Sequence, residues 1–176
     1  MNTATLDLIK EFESLHDGNL SVIGLQPKMD PIGIWTEGYG RAMMDPKTNK
    51  FLKGAENKKY AESIRTITNE AEAIKALDED LARYATMAAN ALGHSYWEML
   101  NENQRGALTS FVYNCGLGNP KYQIFKNIQK YLDKKIDKNI LSSYWQNSVI
   151  RGGGKVLKGL VRRRNAESVL FFEPIF

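Results

Sequence analysis

A single cysteine, Cys115, leaves this chain without an internal disulfide framework, and no Cys-x-x-Cys or His-x-x-x-His pair is present to cradle zinc. The two histidines, His16 and His94, stand far apart at predicted helix ends, which suits surface or capping residues rather than a ligand pair. No run approaches the roughly 18 apolar residues that a membrane span requires. Also missing are the Gly-x-Ser-x-Gly elbow, a phosphate loop and the dinucleotide fingerprint, so the common nucleophile and nucleotide chemistries have no carrier here. From Met1 to Glu13 polar and apolar residues alternate, with acids among them, lacking the basic start and apolar stretch of a signal peptide. The expectation is a chain that folds in a reducing cytosol and is not exported by that route. No cofactor and no metal are implied.

What is present is material for one sizeable core. With 176 residues, 43% of them hydrophobic and 25% charged, the composition is that of one compact domain or of two closely packed lobes. Folding such a chain removes roughly 70% of its unfolded surface. The modest net charge of +4 is unevenly spread: Lys121 to Arg164 holds 12 of the 24 basic residues and two of the 20 acids, Asp133 and Asp137, a balance of +10 against −6 for the rest. That polarity points to a polyanionic surface, such as an envelope, with a solvated helix face as the competing reading. Nucleic acid is not expected, since no recognition motif accompanies the basic stretch.

The pattern along the chain predicts a helix, a small sheet, then helices. Leu8, Ile9, Phe12 and Leu15 recur at helical spacing after Thr3 and Thr5, and this helix is expected to end near His16 to Gly18. Between Leu20 and Phe51, β-branched and aromatic residues punctuated by Gly24, Pro27, Pro31, Gly33, Gly38 and Gly40 suit short strands and tight turns. Residues 53 to 65 read as polar and irregular. Thr68 then caps a long helix with Glu70 and Glu72 in its first turn and Ile74, Leu77, Leu81, Tyr84 and Ala88 along its buried stripe, ending at Gly93. Further helices are expected over Asn103 to Cys115, Pro120 to Leu132, Asp137 to Ser148 and, after the break at Gly152 to Gly154, Leu160 to Phe172. Cys115 falls on an apolar stripe as a buried thiol.

Acid and base chemistry is the class left open, and carboxylates must carry it. Asp7, Glu11, Glu13, Asp17, Asp30, Glu37 and Asp45 crowd the first fifty residues, most of them as ordinary solvated groups. Two differ by context. Glu13 follows Phe12 at a helix end, where desolvation by apolar neighbours favours the protonated form a general acid needs. Asp30 opens the turn Asp30-Pro31-Ile32-Gly33, beside a predicted strand bearing Trp35 and Thr36.

Three blocks then carry a resemblance. Leu8 to Ser14 followed by Asp30-Pro31-Ile32-Gly33-Ile34-Trp35-Thr36-Glu37-Gly38-Tyr39-Gly40 resembles the active-site block of phage-type lysozymes, glycoside hydrolase family 24. Asn103 to Gly116 is similar to that family's central helix, and Gly152 to Glu167 to its closing motif. The resemblance implies an α+β, mostly helical, lysozyme-like fold with two lobes. In a single 1–176 catalytic domain, a small antiparallel sheet lobe of about 16–66 is joined by a long helix of about 68–92 to a helical lobe of about 93–176, with the N-terminal helix packed on the latter and a cleft between lobes as the ligand site.

By the same resemblance Glu13 matches the catalytic glutamate, Asp30 the aspartate and Thr36 the threonine of a Glu/Asp/Thr triad. Tyr113 and Asn114 match cleft-facing positions, and Arg164 matches the arginine that pairs with the catalytic glutamate. The trio suits glycoside hydrolysis, in which one carboxyl protonates the leaving oxygen and the other manages water or the oxocarbenium-like centre. The implied activity is muramidase: hydrolysis of the β-1,4 bond between N-acetylmuramic acid and N-acetylglucosamine in peptidoglycan, by a monomeric endolysin held in the host cytoplasm until a holin opens the membrane. Two departures accompany it. An insert, Gly18 to Met29, separates Glu13 from Asp30, which leaves Asp17 as a competitor lacking the following Pro-x-Gly and Trp-Thr; and Arg41 stands where the family often has histidine after Gly-Tyr-Gly. The rivals are a lytic transglycosylase, which cleaves the same bond with mainly one glutamate, and a non-catalytic peptidoglycan-binding scaffold.

Overall fold

The computed structural model describes residues 1–13, 25–118 and 122–175. The chain divides into two compact units, one of Glu13–Asp80 and one of Met1–Phe12 with Leu81–Phe176. The α+β, mostly helical class expected from the sequence holds.

The Glu13–Asp80 unit is built on a small antiparallel sheet of β1 (Lys28–Met29), β2 (Trp35–Glu37) and β3 (Arg41–Ala42), followed by the pair β4 (Met44–Asp45) and β5 (Lys50–Phe51). Such short strands have little stability of their own and need a packed face. Trp35, Met43, Leu52 and Ala61 supply it, all buried, with Tyr60 and Ile64 against them. Trp35 also donates its indole N–H to the Gly54 carbonyl at 2.8 Å, so its polar edge is satisfied inside. Tyr60, Ala61 and Ile64 lie on a helix, α2 (Lys58–Ile64), where the sequence predicts irregular chain. Its polar residues are the solvent face of about two amphipathic turns, too brief to register as periodicity.

The long helix α3 (Glu70–Leu92) starts two residues later than its predicted cap. Asn69 caps it, its side chain accepting the Glu72 N–H at 2.9 Å, while Thr68 donates its own N–H and hydroxyl to the Glu72 carboxylate at 2.7 and 2.9 Å. Those donors hold the Glu72 carboxyl below its usual range. The division between the two units falls inside this helix, after Asp80.

In the other unit, α1 (Thr3–Phe12) packs on α5 (Glu102–Cys115) and α8 (Lys158–Phe172). The predicted end of the first helix, at His16 to Gly18, lies outside the described residues, and α1 closes at Phe12. At Gly106 an added Cβ would stand 1.8 Å from the Thr5 hydroxyl oxygen, so only glycine permits this approach of α1 to α5. Asn101 starts α5 with a reciprocal capping box to Gln104. Helices α4 (His94–Met99), α6 (Tyr122–Leu132) and α7 (Lys138–Gln146) complete the layer, α7 being capped by Asp137. The core centres on Trp145, fully buried between Phe111 at 6.0 Å and Phe171 at 5.1 Å between ring centroids. Each such ring contributes about 2–3 kcal/mol by burial, and truncating Phe171 to alanine costs about 3–5 kcal/mol through the cavity it leaves.

The glycine break is a hairpin. β6 (Arg151–Gly152) and β7 (Lys155–Val156) pair antiparallel through Gly153 and Gly154, both at positive φ, as a two-residue turn requires. Among the described residues no helix is long and apolar enough to cross a membrane.

Candidate active site

The turn between β1 and β2 is organised by Asp30. Its Oδ1 accepts the backbone N–H groups of Ile32 and Ile34 at 2.9 and 2.8 Å, while its own N–H donates to the Ile34 carbonyl at 2.8 Å and its carbonyl accepts from Gly33 at 3.0 Å. Both side-chain bonds fall on one oxygen, and Oδ2 stays outside the turn. Strand register pairs Lys28 with Thr36 and Met29 with Trp35. Because side chains alternate along a strand, Asp30 and Thr36 share one face while Trp35 faces the core from the other. The Thr36 hydroxyl donates to the Lys28 carbonyl at 3.1 Å, which commits its proton and leaves its lone pairs as acceptors.

Glu13, the first residue of the same unit, directly follows α1 and is half-buried. The Phe12 ring before it is flanked by the guanidinium groups of Arg162 at 5.9 Å and Arg163 at 5.7 Å. Asp17, the competing aspartate, and His16 lie outside the described residues.

Two further acids of this unit are held by several donors each. Glu37 is buried and accepts the N–H groups of Thr66 and Ile67 at 2.9 and 3.1 Å and the Thr66 hydroxyl at 2.8 Å, tying β2 to the segment before α3. Asp45 accepts the Lys47 N–H, the Tyr60 hydroxyl and the Thr48 hydroxyl, and the first of these leads in holding its carboxyl below the usual range. Arg41, the departure after Gly-Tyr-Gly, forms its own salt bridge. Its Nε meets Asp80 at 2.9 Å, and its Nη2 reaches Glu79 at 3.2 Å and the Ala76 carbonyl at 2.8 Å. Arginine's fork lets one side chain hold three acceptors on α3, where an imidazole would hold two.

In the helical unit the remaining predicted residues lie near the end of α5. Tyr113 meets Tyr84 edge to face at 5.0 Å and 77°. Asn114 accepts a hydrogen bond from Arg164 Nη2, so these two are brought together. Arg164 itself is fully buried, its guanidinium stacked 4.6 Å over the Phe111 ring and its Nη1 2.9 Å from Glu167. Cys115 is half-buried rather than buried, donating to the Phe111 carbonyl at 2.9 Å with Arg164 Nη1 at 3.9 Å. His94 is an exposed residue at the start of α4, 3.0 Å from Asn90, as its position predicts.

Sequence reasoning assigned no role to Glu167, Ser110, Trp145 or Arg163, which form the buried polar centre of this unit. The available signal was Arg163 and Arg164 standing four and three residues before Glu167, the spacing at which helical side chains meet. It was hidden in the basic stretch. Because Arg163 and Arg164 are buried against Glu167, they do not contribute to a cationic surface.

The comparisons bear on the fold and the family. A family model described as phage lysozyme matches residues 20–167, a range that includes Asp30 and Thr36 and begins after Glu13. A SAR-endolysin of Haemophilus phage HP1 is 28% identical over 160 residues, 86% of this chain and 74% of its own. Among solved structures, an endolysin from Escherichia coli O157:H7 phage FAHEc1 has a TM-score of 0.65 at 22% identity, covering 99% of this chain and 94% of that one. The muramidase domain of SpmX from Asticaccaulis excentricus has a TM-score of 0.62 at 24% identity, covering 98% and 97%. The P1 phage endolysin Lyz in its active form has a TM-score of 0.60 at 19% identity, covering 97% and 83%. Matched over most of its length, the chain belongs to the phage lysozyme family, and its activity is the degradation of peptidoglycan.

Proposed function

We propose that the chain cleaves the β-1,4 bond between N-acetylmuramic acid and N-acetylglucosamine by hydrolysis, with Glu13 as general acid and Asp30 and Thr36 holding the water. The observation that supports this most is the shared hairpin face of Asp30 and Thr36. With its proton committed to the Lys28 carbonyl, Thr36 only accepts, and an ionised carboxylate likewise only accepts. A water donating one proton to Asp30 Oδ2 and the other to Thr36 Oγ1 presents its lone pair to the anomeric carbon. Glu13 gives its proton to the departing oxygen, and Asp30 takes up the water's proton as the new C–O bond forms. Tyr113 and Asn114 act as substrate-facing supports; Arg164, proposed by resemblance to pair with the catalytic glutamate, has its contacts with Asn114 and Glu167 instead.

Product chemistry tests this against the transglycosylase reading. Digestion in heavy-oxygen water is expected to give muropeptides ending in reducing N-acetylmuramic acid with label at the new end. Predominantly anhydro products without label sink the hydrolytic reading, and absence of wall clearing by the purified protein favours the scaffold reading.

The finer biology belongs to the same proposal: a monomer of two lobes, accumulating in the host cytoplasm and released through a holin. The basic stretch supports adsorption to anionic envelope surfaces. With Arg163 and Arg164 buried, exposed lysines such as Lys130, Lys134, Lys135 and Lys138 carry it. Binding to intact envelopes is expected to weaken steeply as salt rises. Affinity that is flat with salt, or unchanged when those four lysines become glutamine, reduces the stretch to a solubilising face.

A further inference from the structure

We propose that Glu167 is a positioning residue for the substrate site, acting through Arg164 to present the Asn114 amide as a hydrogen-bond donor to an oxygen of the glycan. The proposal rests on the reading above that Asn114 faces substrate. Glu167 is fully buried, and each of its oxygens has two donors: Ser110 Oγ at 2.8 Å and Arg163 Nε at 3.3 Å on Oε1, Trp145 Nε1 at 3.1 Å and Arg164 Nη1 at 2.9 Å on Oε2. A carboxylate so surrounded has one orientation. It fixes Arg164 from the next turn of α8, and the Phe111 ring beneath fixes the plane of the guanidinium.

Arg164 then transmits that orientation. Its Nη2 donates to Asn114, whereas its Nε is buried without a hydrogen-bond partner, so the far end of the guanidinium carries the connection. Arginine has donors only. The atom of Asn114 facing it must therefore be Oδ1, and the side-chain NH2 is the end turned away. In an isolated asparagine either end of the amide could meet a ligand; here the Glu167 charge selects the donor end. Hydroxyl and acetamido carbonyl oxygens of an amino-sugar polymer are the acceptors this donor suits.

Steady-state kinetics on soluble peptidoglycan fragments test the chain of contacts, using Glu167→Gln, Glu167→Asp and Asn114→Asp. Asn114→Asp keeps an oxygen for Arg164 and removes the donor, so KM is expected to rise about tenfold, the worth of one well-made hydrogen bond. Glu167→Gln removes the charge that orients Arg164 and is expected to raise KM similarly. Glu167→Asp keeps the charge on a shorter arm, with a rise of about threefold. A structural lesion alone lowers the folded fraction and kcat while leaving KM in place. The double variant Glu167→Gln with Asn114→Asp is expected to raise KM no further than either change alone. If Glu167→Gln does not fold, Glu167→Asp paired with Asn114→Asp carries the same cycle. Unchanged KM in the folded Glu167 variants, or Glu167 and Asn114 effects that simply multiply, overturns the positioning role. Unchanged KM in Asn114→Asp alone removes the reading of Asn114 as substrate-facing, and the inference with it.

Discussion

Asp30 and Glu167 are both carboxylates that accept several hydrogen bonds, yet the regions around them are built in opposite ways. Around Asp30 the structure is a turn between strands of two and three residues, and the donors are two backbone N–H groups on a single oxygen. Around Glu167 the structure is three packed helices, and the donors are four side chains on both oxygens, two of them charged. The first arrangement fixes a carboxylate while leaving one oxygen for a reactant. The second consumes the carboxylate entirely and makes it a fixed point for its neighbours. On the proposed mechanism Asp30 carries chemistry while Glu167 holds the packing of its helices, and substitution can separate the two.

The largest effect is expected at Glu13. Glu13→Gln keeps shape and much of the hydrogen bonding while removing the transferable proton, so wall clearing is abolished and the thermal midpoint stays equal or rises. Lysis within a few-fold of wild type would transfer the acid role elsewhere, with Glu11 next to test. Asp30→Asn comes second. The amide oxygen still accepts from Ile32 and Ile34, so the turn survives while activity falls about a hundredfold or more. Asp30→Ala lowers the midpoint as well, and equal melting of the two variants would show that the turn does not depend on that oxygen.

Glu167→Ala inverts the pattern. Leaving Arg163 and Arg164 buried beside an emptied site costs about 3–5 kcal/mol, a fall of roughly 10 °C in midpoint by calorimetry. A midpoint within a degree or two of wild type would end the contrast drawn between the two acids. Thr36→Val is a smaller perturbation, about tenfold in rate, because a single neutral hydrogen bond contributes less than an ionised carboxylate. The smallest effect is expected at Glu72. Its carboxyl is held below its ordinary 4.5 by the Thr68 donors and Asn69, so its contribution is present above that value and fades as pH falls through the lowered one. In melts taken from pH 6 down to pH 3, Glu72→Gln should lose less midpoint than wild type, and parallel curves would refute the linkage.

Where local patterns were long, the sequence was readable. The apolar spacing of α3, α5, α7 and α8 predicted helices within a few residues of those observed, and Asp30 stood out because a turn signal and a strand signal adjoin there, whereas Thr36 was marked only by the family resemblance. Short elements held by distant partners were not readable. Helix α2 depends on Trp35, Met43 and Leu52 from other elements, and Glu37 looked like a solvated acid because its partners, Thr66 and Ile67, lie 29 and 30 residues away. Glu167 was obscured for a further reason. A run of arginines reads as surface charge, and only packing shows that two of them are turned inward.

The close seat of Thr5 against Gly106 also sets an order of assembly. The helical unit is discontinuous, taking Met1–Phe12 from one end of the chain and Leu81–Phe176 from the other. During synthesis α1 is made before either helix on which it packs, α5 following after the small-sheet unit and α8 only after α6 and α7. Its amphipathic face therefore has only the α5 part of its seat until α8 is made, and the setting of α1, from which Glu13 follows directly, is completed by that last helix. A lysozyme of this topology closes its helical unit only after α8 has been made, whatever the order in which its other elements fold.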